Sequence, residues 1–315
     1  MSLAAVLAVL LAGVLDVVFE EFPGRVHPVA LLGRVVAPLD REWPAPGAVG
    51  VGIAVLLPLA VALLTWGVVT GAGLLAGNAF EVVGVTASGA AAVVLGLVAG
   101  LLLFAVTSLR MLVSVADEVI DATAADIETA RESVIALVGR DTDDLSAGQL
   151  RSAAVESAAE NLADGLVAPL VAFTLGAQVS LAVGVAAACW VKAVNTLDSM
   201  LGYRAKPVGG ASARLDDLVM WLPARLSALL LAVAGWSPGA LTAARSWARV
   251  PASPNSGWPM ATAAVVTDVR LEKPGVYVLH PTADLPSVDR ARAGVRIVAR
   301  AGLLAFALTG VVVWL

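Results

Sequence analysis

The feature that most constrains this chain is a set of long apolar runs without charge. Residues 47–72 and 83–109 contain no Asp, Glu, Lys or Arg. At about 1.5 Å per helical residue, each is long enough to cross a hydrocarbon core of roughly 30 Å. The composition agrees: of 315 residues, 59% are hydrophobic and 14% charged, whereas a soluble domain is nearer half apolar and a quarter charged. Mean hydropathy is +0.88. We therefore expect an all-α fold, a polytopic membrane helix bundle with re-entrant or broken helices, with residues 1–315 forming one integral membrane domain in the cell membrane. Polar regions are expected near 19–46, 110–161, 192–217 and 237–293. The formal charge of −5 and the lack of a Lys/Arg-rich tract exclude a nucleic-acid partner and leave the lipid bilayer. The single cysteine, Cys189, excludes an internal disulfide and a cysteine-built metal site. The N-terminus lacks the basic region of a signal peptide, so residues 2–15 read as a retained helix.

In chain order, residues 2–18 form a short apolar segment ending near Asp16. The connector 19–46 carries Pro23, Pro28, Pro38, Pro44 and Pro46, which bar a continuous helix. Residues 73–83, with Asn78 and Glu81, read as a short linker. One or two amphipathic helices are expected in 110–161. The apolar run 162–191 is interrupted near Gly176-Ala177-Gln178, so it is either one long span or two half-helices that turn back. Residues 218–235 contain Pro223 and Arg225 and should be kinked, and 294–315 end the chain as an apolar helix. Arg25, Arg34 and Arg41 in the connector, and Arg110, Arg131, Arg140 and Arg151 in 110–161, contrast with the absence of Lys and Arg in 73–83. The positive-inside rule then places both richer regions, and the active site with them, on the cytoplasmic side. Convergence of the polar motifs on one face requires that 162–191 turn back, or that the motifs meet within the membrane.

Four polar groups carry the chemistry. The first is Asp16, Glu20, Glu21 and His27-Pro28. A histidine between prolines is presented on a fixed backbone and is suited to proton transfer near neutral pH. The second is a helical face in 151–164: at 100° per residue, Ser152, Glu156, Glu160 and Asp164 align, with Ser157 and Asn161 beside them. Carboxylates four apart repel, so a cation is expected opposite, such as Arg, Lys, magnesium or a substrate ammonium. Oxygen ligands of this kind suit magnesium. The third is Lys192, Asn195, Asp198 and Ser199, then Tyr203 and Arg204. Ionisable groups this close to a bilayer are costly and point to function; Lys192 and Arg204 can neutralise phosphate. The fourth is Gly209-Gly210-Ala211-Ser212-Ala213-Arg214-Leu215-Asp216-Asp217, where small residues admit an anion and Arg214 completes the contact. A further turn is expected at Pro254–Met260, with Asn255 within it. No phosphate loop, dinucleotide fingerprint or zinc motif is present.

In this order, these blocks resemble the adenosylcobinamide-phosphate synthases, the CobD/CbiB family of cobalamin biosynthesis. The resemblance rests on His27-Pro28-Val29, Gly139-Arg140-Asp141-Thr142 and Ala154-Val155-Glu156-Ser157 with Glu160-Asn161 and Asp164-Gly165. It continues through Asn195-Thr196-Leu197-Asp198-Ser199-Met200, Gly202-Tyr203-Arg204, Ala211–Asp217 and Asn255–Met260. It implies an ATP-dependent amide ligase joining adenosylcobyric acid, a corrinoid, to (R)-1-amino-2-propanol O-phosphate or to aminopropanol, with later cobalamin-assembly enzymes as membrane partners. ATP and magnesium are the implied cofactors. On this reading the catalytic residues are His27, Glu156, Glu160, Lys192 and Asp198, with Glu156, Glu160 and Asp198 holding magnesium. Substrate and phosphates fall to Arg140, Asp141, Asn161, Asn195, Tyr203, Arg204, Arg214 and Asn255. Asp16, Glu21, Asp164, Asp216 and Asp217 are further members. The chain departs from the family where Glu20 replaces a glycine, Phe22 a proline and Asp268 a glycine. A transporter or non-catalytic corrinoid-binding protein is the competing class; the absence of an inverted repeat and the two long polar regions argue against it.

Overall fold

The computed structural model describes residues 3–83, 87–135, 142, 144–203 and 206–315, with side chains at 79–83 and 87–88 excepted. The expected all-α membrane architecture is found, with one two-stranded hairpin added. Among the described residues, four helices are long and apolar enough to cross a membrane: Pro46–Asn78, Ala147–Ala177, Leu181–Leu201 and Val288–Trp314. A pair bent by 48°, Pro207–Val219 with Trp221–Ala234, makes a fifth if counted as one broken span. This is the make-up of a multi-pass membrane protein. The chain divides into two compact units, residues 1–108, 168–219 and 306–315 in the first and 109–167 and 220–305 in the second.

The first unit is organised around α9 (Leu181–Leu201). Helix α1 (Leu3–Phe19) packs on α4 (Ala87–Phe104), and α3 (Pro46–Val83) packs on both α4 and α9. Close approach of α1 and α4 depends on glycine: a Cβ at Gly96 would lie 2.8 Å from Leu7 Cβ, and one at Gly100 2.9 Å from Leu11 Cβ. Small residues at the contact replace the hydrophobic driving force that lipid does not supply. Helix α8 (Ala168–Ala177) turns at residues 178–180 and packs back along α9. A Cβ at Gly176 would stand 2.7 Å from Val183 O, and one at Gly184 3.0 Å from Phe173 O and Ala177 N of α8. The run 162–191 is thus broken at 178–180 and folds back, but its arms belong to the long helices Ala147–Ala177 and Leu181–Leu201 rather than to half-helices. Val36, Leu197 and Leu201 form a buried core with Leu32, Ile53, Leu57 and Met200.

No continuous helix runs through the connector 19–46. It contains a helix, α2 (Pro28–Val36), followed by one 3-10 turn at Ala37–Leu39. Pro28 occupies the first helical position, where its missing N–H costs nothing, and the next proline is Pro38, beyond the helix end. The linker expected at 73–83 is also helical, since α3 runs through to Val83. Conversely, the run 83–109 is shorter as a helix than expected: α4 ends at Phe104, and its part Gly89–Phe104 falls among the shorter apolar helices.

The second unit centres on α7 (Ala147–Leu162), which opens with a reciprocal capping box between Ser146 and Gln149. Region 110–161 holds α5 (Arg110–Ala125) and α6 (Ile127–Ile135) besides α7. One turn of π-helix, Ala163–Val167, joins α7 to α8. Pro169 cannot donate to the carbonyl four residues back, and the wider turn relieves that clash. Helix α10 (Gly210–Val219) belongs to the first unit, and α11 (Trp221–Ala234) to the second. The expected kink falls between them, leaving Pro223 in the first turn of α11, where no helical bond is lost. Region 237–293 contains α12 (Ala240–Ala244) and α13 (Gly257–Thr267). A hairpin follows, β1 (Leu271–Lys273) paired antiparallel with β2 (Tyr277–Leu279). The last helix, α14 (Val288–Trp314), begins before residue 294, and Ser287 Oγ accepts from Arg290 N in its first turn.

Candidate active site

The face of α7 that carries the acidic residues is built by the hairpin in the second unit. Ser152 Oγ accepts from Glu272 N at 2.8 Å, and Gln149 Nε2 donates to Glu272 Oε1 at 2.9 Å. Arg270 Nε stands 3.1 Å from the other Glu272 oxygen. Gln149, Ser152 and Glu156 follow one another at helical spacing, so the docked hairpin reaches Glu156 next. There Tyr277 Oη donates to Glu156 Oε1 at 2.9 Å. Glu156 is only 5% exposed. The hairpin thus brings a backbone N–H to Ser152 and a phenol to Glu156.

Glu160 and Asp164 continue the face, partly exposed, with Asp164 in the π-helical turn. Asn161 is exposed and donates back to Ser157 O and Oγ at 3.0 and 3.1 Å. Its amide is thereby directed along its own helix. Arg151 anchors the same helix, donating to Pro286 O at 2.7 Å and to Thr123 Oγ1 at 3.1 Å. Asn255 is buried within the Pro254–Ser256 turn, and α13 starts directly after it. Its Oδ1 accepts from Arg225 Nη1 at 2.7 Å. The Arg225 guanidinium also lies over the rings of Trp221 and Trp258. Asn255 thus positions an arginine that the sequence had marked only as a polar residue in an apolar helix.

In the first unit, His27 and Glu21 come together, Nε2 and Oε2 lying 3.4 Å apart. His27 Nδ1 accepts from Val29 N at 3.2 Å and caps α2. Both ring nitrogens therefore have tasks, and the ring works with Glu21 rather than as an isolated base. Asp16 is buried at 1% exposure. On α9, Asn195 is buried, and Lys192 and Asp198 are partly exposed. Asp198 and Asp217 on α10 lie close enough to feel each other's charge. Gly202 is the residue that lets the Asp198 carboxylate lie over the end of α9, since a Cβ at 202 would overlap Asp198 Oδ1.

Tyr203 is exposed, with Lys206 Nζ 5.0 Å from its ring centre, while Lys206 pairs with Asp40. Arg214 is exposed; Asp216 and Asp217 are partly so. Arg140, Asp141 and Arg204 lie outside the described residues. Among the described residues no three His, Cys, Asp or Glu side chains gather where they can hold a metal. Of the residues expected to hold magnesium, Glu156 and Glu160 belong to the second unit and Asp198 to the first. One or two carboxylates completed by phosphate oxygens and water is the form of magnesium site these residues fit.

The sequence missed Tyr277 and Arg225. Tyr277 had one available signal: it is one of two tyrosines in the chain, set in a short run that can pair as a strand.

Comparison with known proteins shows which chains are built this way. The family model described as "CobD/Cbib protein" matches residues 9–304. A relative from Methanothrix thermoacetophila, "Probable cobalamin biosynthesis protein CobD", is 34% identical over 310 residues, covering 95% of this chain and 94% of its own. "Cobalamin biosynthesis protein CobD" of Klebsiella pneumoniae is 37% identical over 284 residues, covering 86% and 83%. That of Dehalococcoides mccartyi is 35% identical over 292 residues, covering 86% and 85%. No solved structure matches.

Proposed function

This chain belongs to the CobD/CbiB family, and from that premise we propose that it is the amide-forming ligase of cobalamin biosynthesis. It joins adenosylcobyric acid to (R)-1-amino-2-propanol O-phosphate, or to aminopropanol, at the expense of ATP. The observation that carries this reading is the buried carboxylate of Glu156, fixed by Tyr277 on a helix face that continues into an apolar segment. Burying a carboxylate is costly unless it is hydrogen-bonded, and membrane-embedded ionisable groups mark function.

An amide forms from a carboxylate only after the acyl oxygen is activated. ATP with magnesium would supply that activation by phosphoryl transfer, with positive charge gathered on the phosphates. Glu156 and Glu160 would hold the metal, and Asp198 with Asp217 is a second oxygen pair suited to the task. Lys192, Arg140, Arg204 and Arg214 would neutralise phosphate oxygens, while Asn195 and Asn161 would orient substrate. The Glu21–His27 pair would accept the proton released by the attacking ammonium. We place the active site on the cytoplasmic side, following the arginines of 19–46 and 110–161.

The test is incubation of the purified protein with adenosylcobyric acid, aminopropanol phosphate, ATP and magnesium, followed by chromatography of the corrinoids. The expected result is conversion to adenosylcobinamide phosphate, lost in Glu156→Ala and in Lys192→Ala, with both variants still inserted in membranes. Absence of product from the unmodified chain, or full activity in both variants, overturns the proposal.

A further inference from the structure

Tyr277 is placed by three successive constraints. The hairpin register sets it across from Lys273, two residues from Leu279, which pairs with Leu271. Glu272 in β1 is gripped by Gln149 and Ser152 of α7 and faced by Arg270. The next position on that face of α7 is Glu156, which the Tyr277 hydroxyl meets at 2.9 Å. Met260 Sδ lies 3.8 Å from the same hydroxyl, so the phenol oxygen is also contacted from α13.

We infer that Tyr277 is a positioning residue for the ligase reaction, its hydroxyl fixing Glu156 Oε1 and thereby the direction of the second carboxylate oxygen. The inference rests on the reading of Glu156 given above. A carboxylate with one oxygen held by a neutral O–H keeps its charge and loses rotational freedom. Because the two oxygens share one planar group, fixing one fixes the direction of the other. A phenol suits this task because its ring packs with the hairpin while its hydroxyl reaches the acid. Tyr277 acts through Glu156, and the prediction concerns turnover, not substrate capture.

The test compares four variants of the full chain in the corrinoid assay: Tyr277→Phe, Glu156→Asp, the two combined, and Glu156→Gln. Tyr277→Phe keeps the ring and removes the hydroxyl. It should lower kcat by roughly ten- to a hundredfold, the range for loss of a hydrogen bond to a charged group. KM for the corrinoid and for the amine should stay within about twofold, and thermal unfolding should show a folded protein. Glu156→Asp draws the carboxylate back by one methylene and should itself reduce kcat. Adding Tyr277→Phe to Glu156→Asp should then bring little further loss, because the contact is already broken. Full activity in Glu156→Asp together with Glu156→Gln overturns the reading of Glu156, and this inference with it. Reduced activity in those two with wild-type kcat in Tyr277→Phe overturns the inference alone. So does a Tyr277→Phe loss that is undiminished in the Glu156→Asp background, or one confined to KM.

Discussion

Of the described non-glycine residues with positive φ (Glu20, Trp236, Asp268 and His280), Glu20 and Asp268 each directly follow a helix where the resemblance leads one to expect glycine, and placing glycine there should stabilise the protein. Glu20 has φ 60° directly after α1, where its N–H bonds to Asp16 O at 3.1 Å. Asp268 has φ 51° directly after α13, with Val269 N reaching Ala264 O at 3.0 Å to close the helix end. Both are helix-terminating positions that glycine fills without steric cost. A left-handed conformation costs a residue with a β-carbon about 1–2 kcal/mol. Glycine gives back roughly 0.5–1 kcal/mol through its greater freedom when unfolded. The net expectation for Glu20→Gly relative to Glu20→Ala is a gain of about 0.5–1 kcal/mol, or roughly 1–3 °C in Tm for a chain of this size. Alanine is the reference because it removes the same carboxylate while keeping the β-carbon, so contacts of the Glu20 side chain cancel. Asp268→Gly against Asp268→Ala should move in the same direction. Asp268 against Gly alone should gain less, because aspartate enters this region more readily than glutamate. Thermal unfolding in detergent, followed by tryptophan fluorescence, gives the ranking. If Glu20→Gly and Glu20→Ala unfold together, backbone strain at these helix ends is not what those positions carry.

Four further outcomes follow from the packing and the charges. Gly176→Ala sets a Cβ 2.7 Å from Val183 O and 2.9 Å from Gly184 Cα; backbone cannot yield, so a loss of about 1–3 kcal/mol is expected. Gly77→Ala, open to space, should be neutral or stabilising in the same thermal assay. Gly202→Ala should displace the Asp198 carboxylate and cut turnover on the order of ten- to a hundredfold, with unchanged membrane insertion; wild-type turnover would remove Asp198 from the site. Asp117 on α5 has its carboxyl raised above the ordinary range, chiefly by burial and then by Asp121, against partial relief from Arg292 and Arg296. The folded state therefore binds this proton more tightly, and stability falls as pH rises from the ordinary carboxylate value through the raised one. Asp117→Asn should thus raise Tm at neutral pH, with the advantage vanishing in acid; an advantage that is the same at both ends of the titration would refute the assignment.

What could be read in advance and what could not divides along the range of the interaction concerned. The membrane helices were legible because an uncharged run reports its own environment residue by residue. The break in 162–191 was legible because Gly176-Ala177-Gln178 interrupts an apolar run; whether the chain turned back there was not, and the close approach of Gly176 and Gly184 is what shows it. The prolines of the connector did bar a continuous helix, but the short helix α2 between Pro28 and Pro38, capped by His27, was not anticipated because their spacing was not weighed. That cap also changed the chemistry read for His27, since one ring nitrogen is committed to the backbone and the other stands by Glu21. The acidic stripe on α7 followed from helical periodicity alone. Its partner did not, because Tyr277 lies 121 residues further on and reaches Glu156 only once a three-residue strand has docked. Local pattern names the residues that need a partner; the tertiary fold chooses it. The glycine departures at Glu20 and Asp268 combine both cases. Their sequence signal was a broken resemblance without a stated reason, and the reason is a positive φ at each helix end. The glycines that relatives are expected to carry there thus read as requirements of helix termination, separable from the charges of the site.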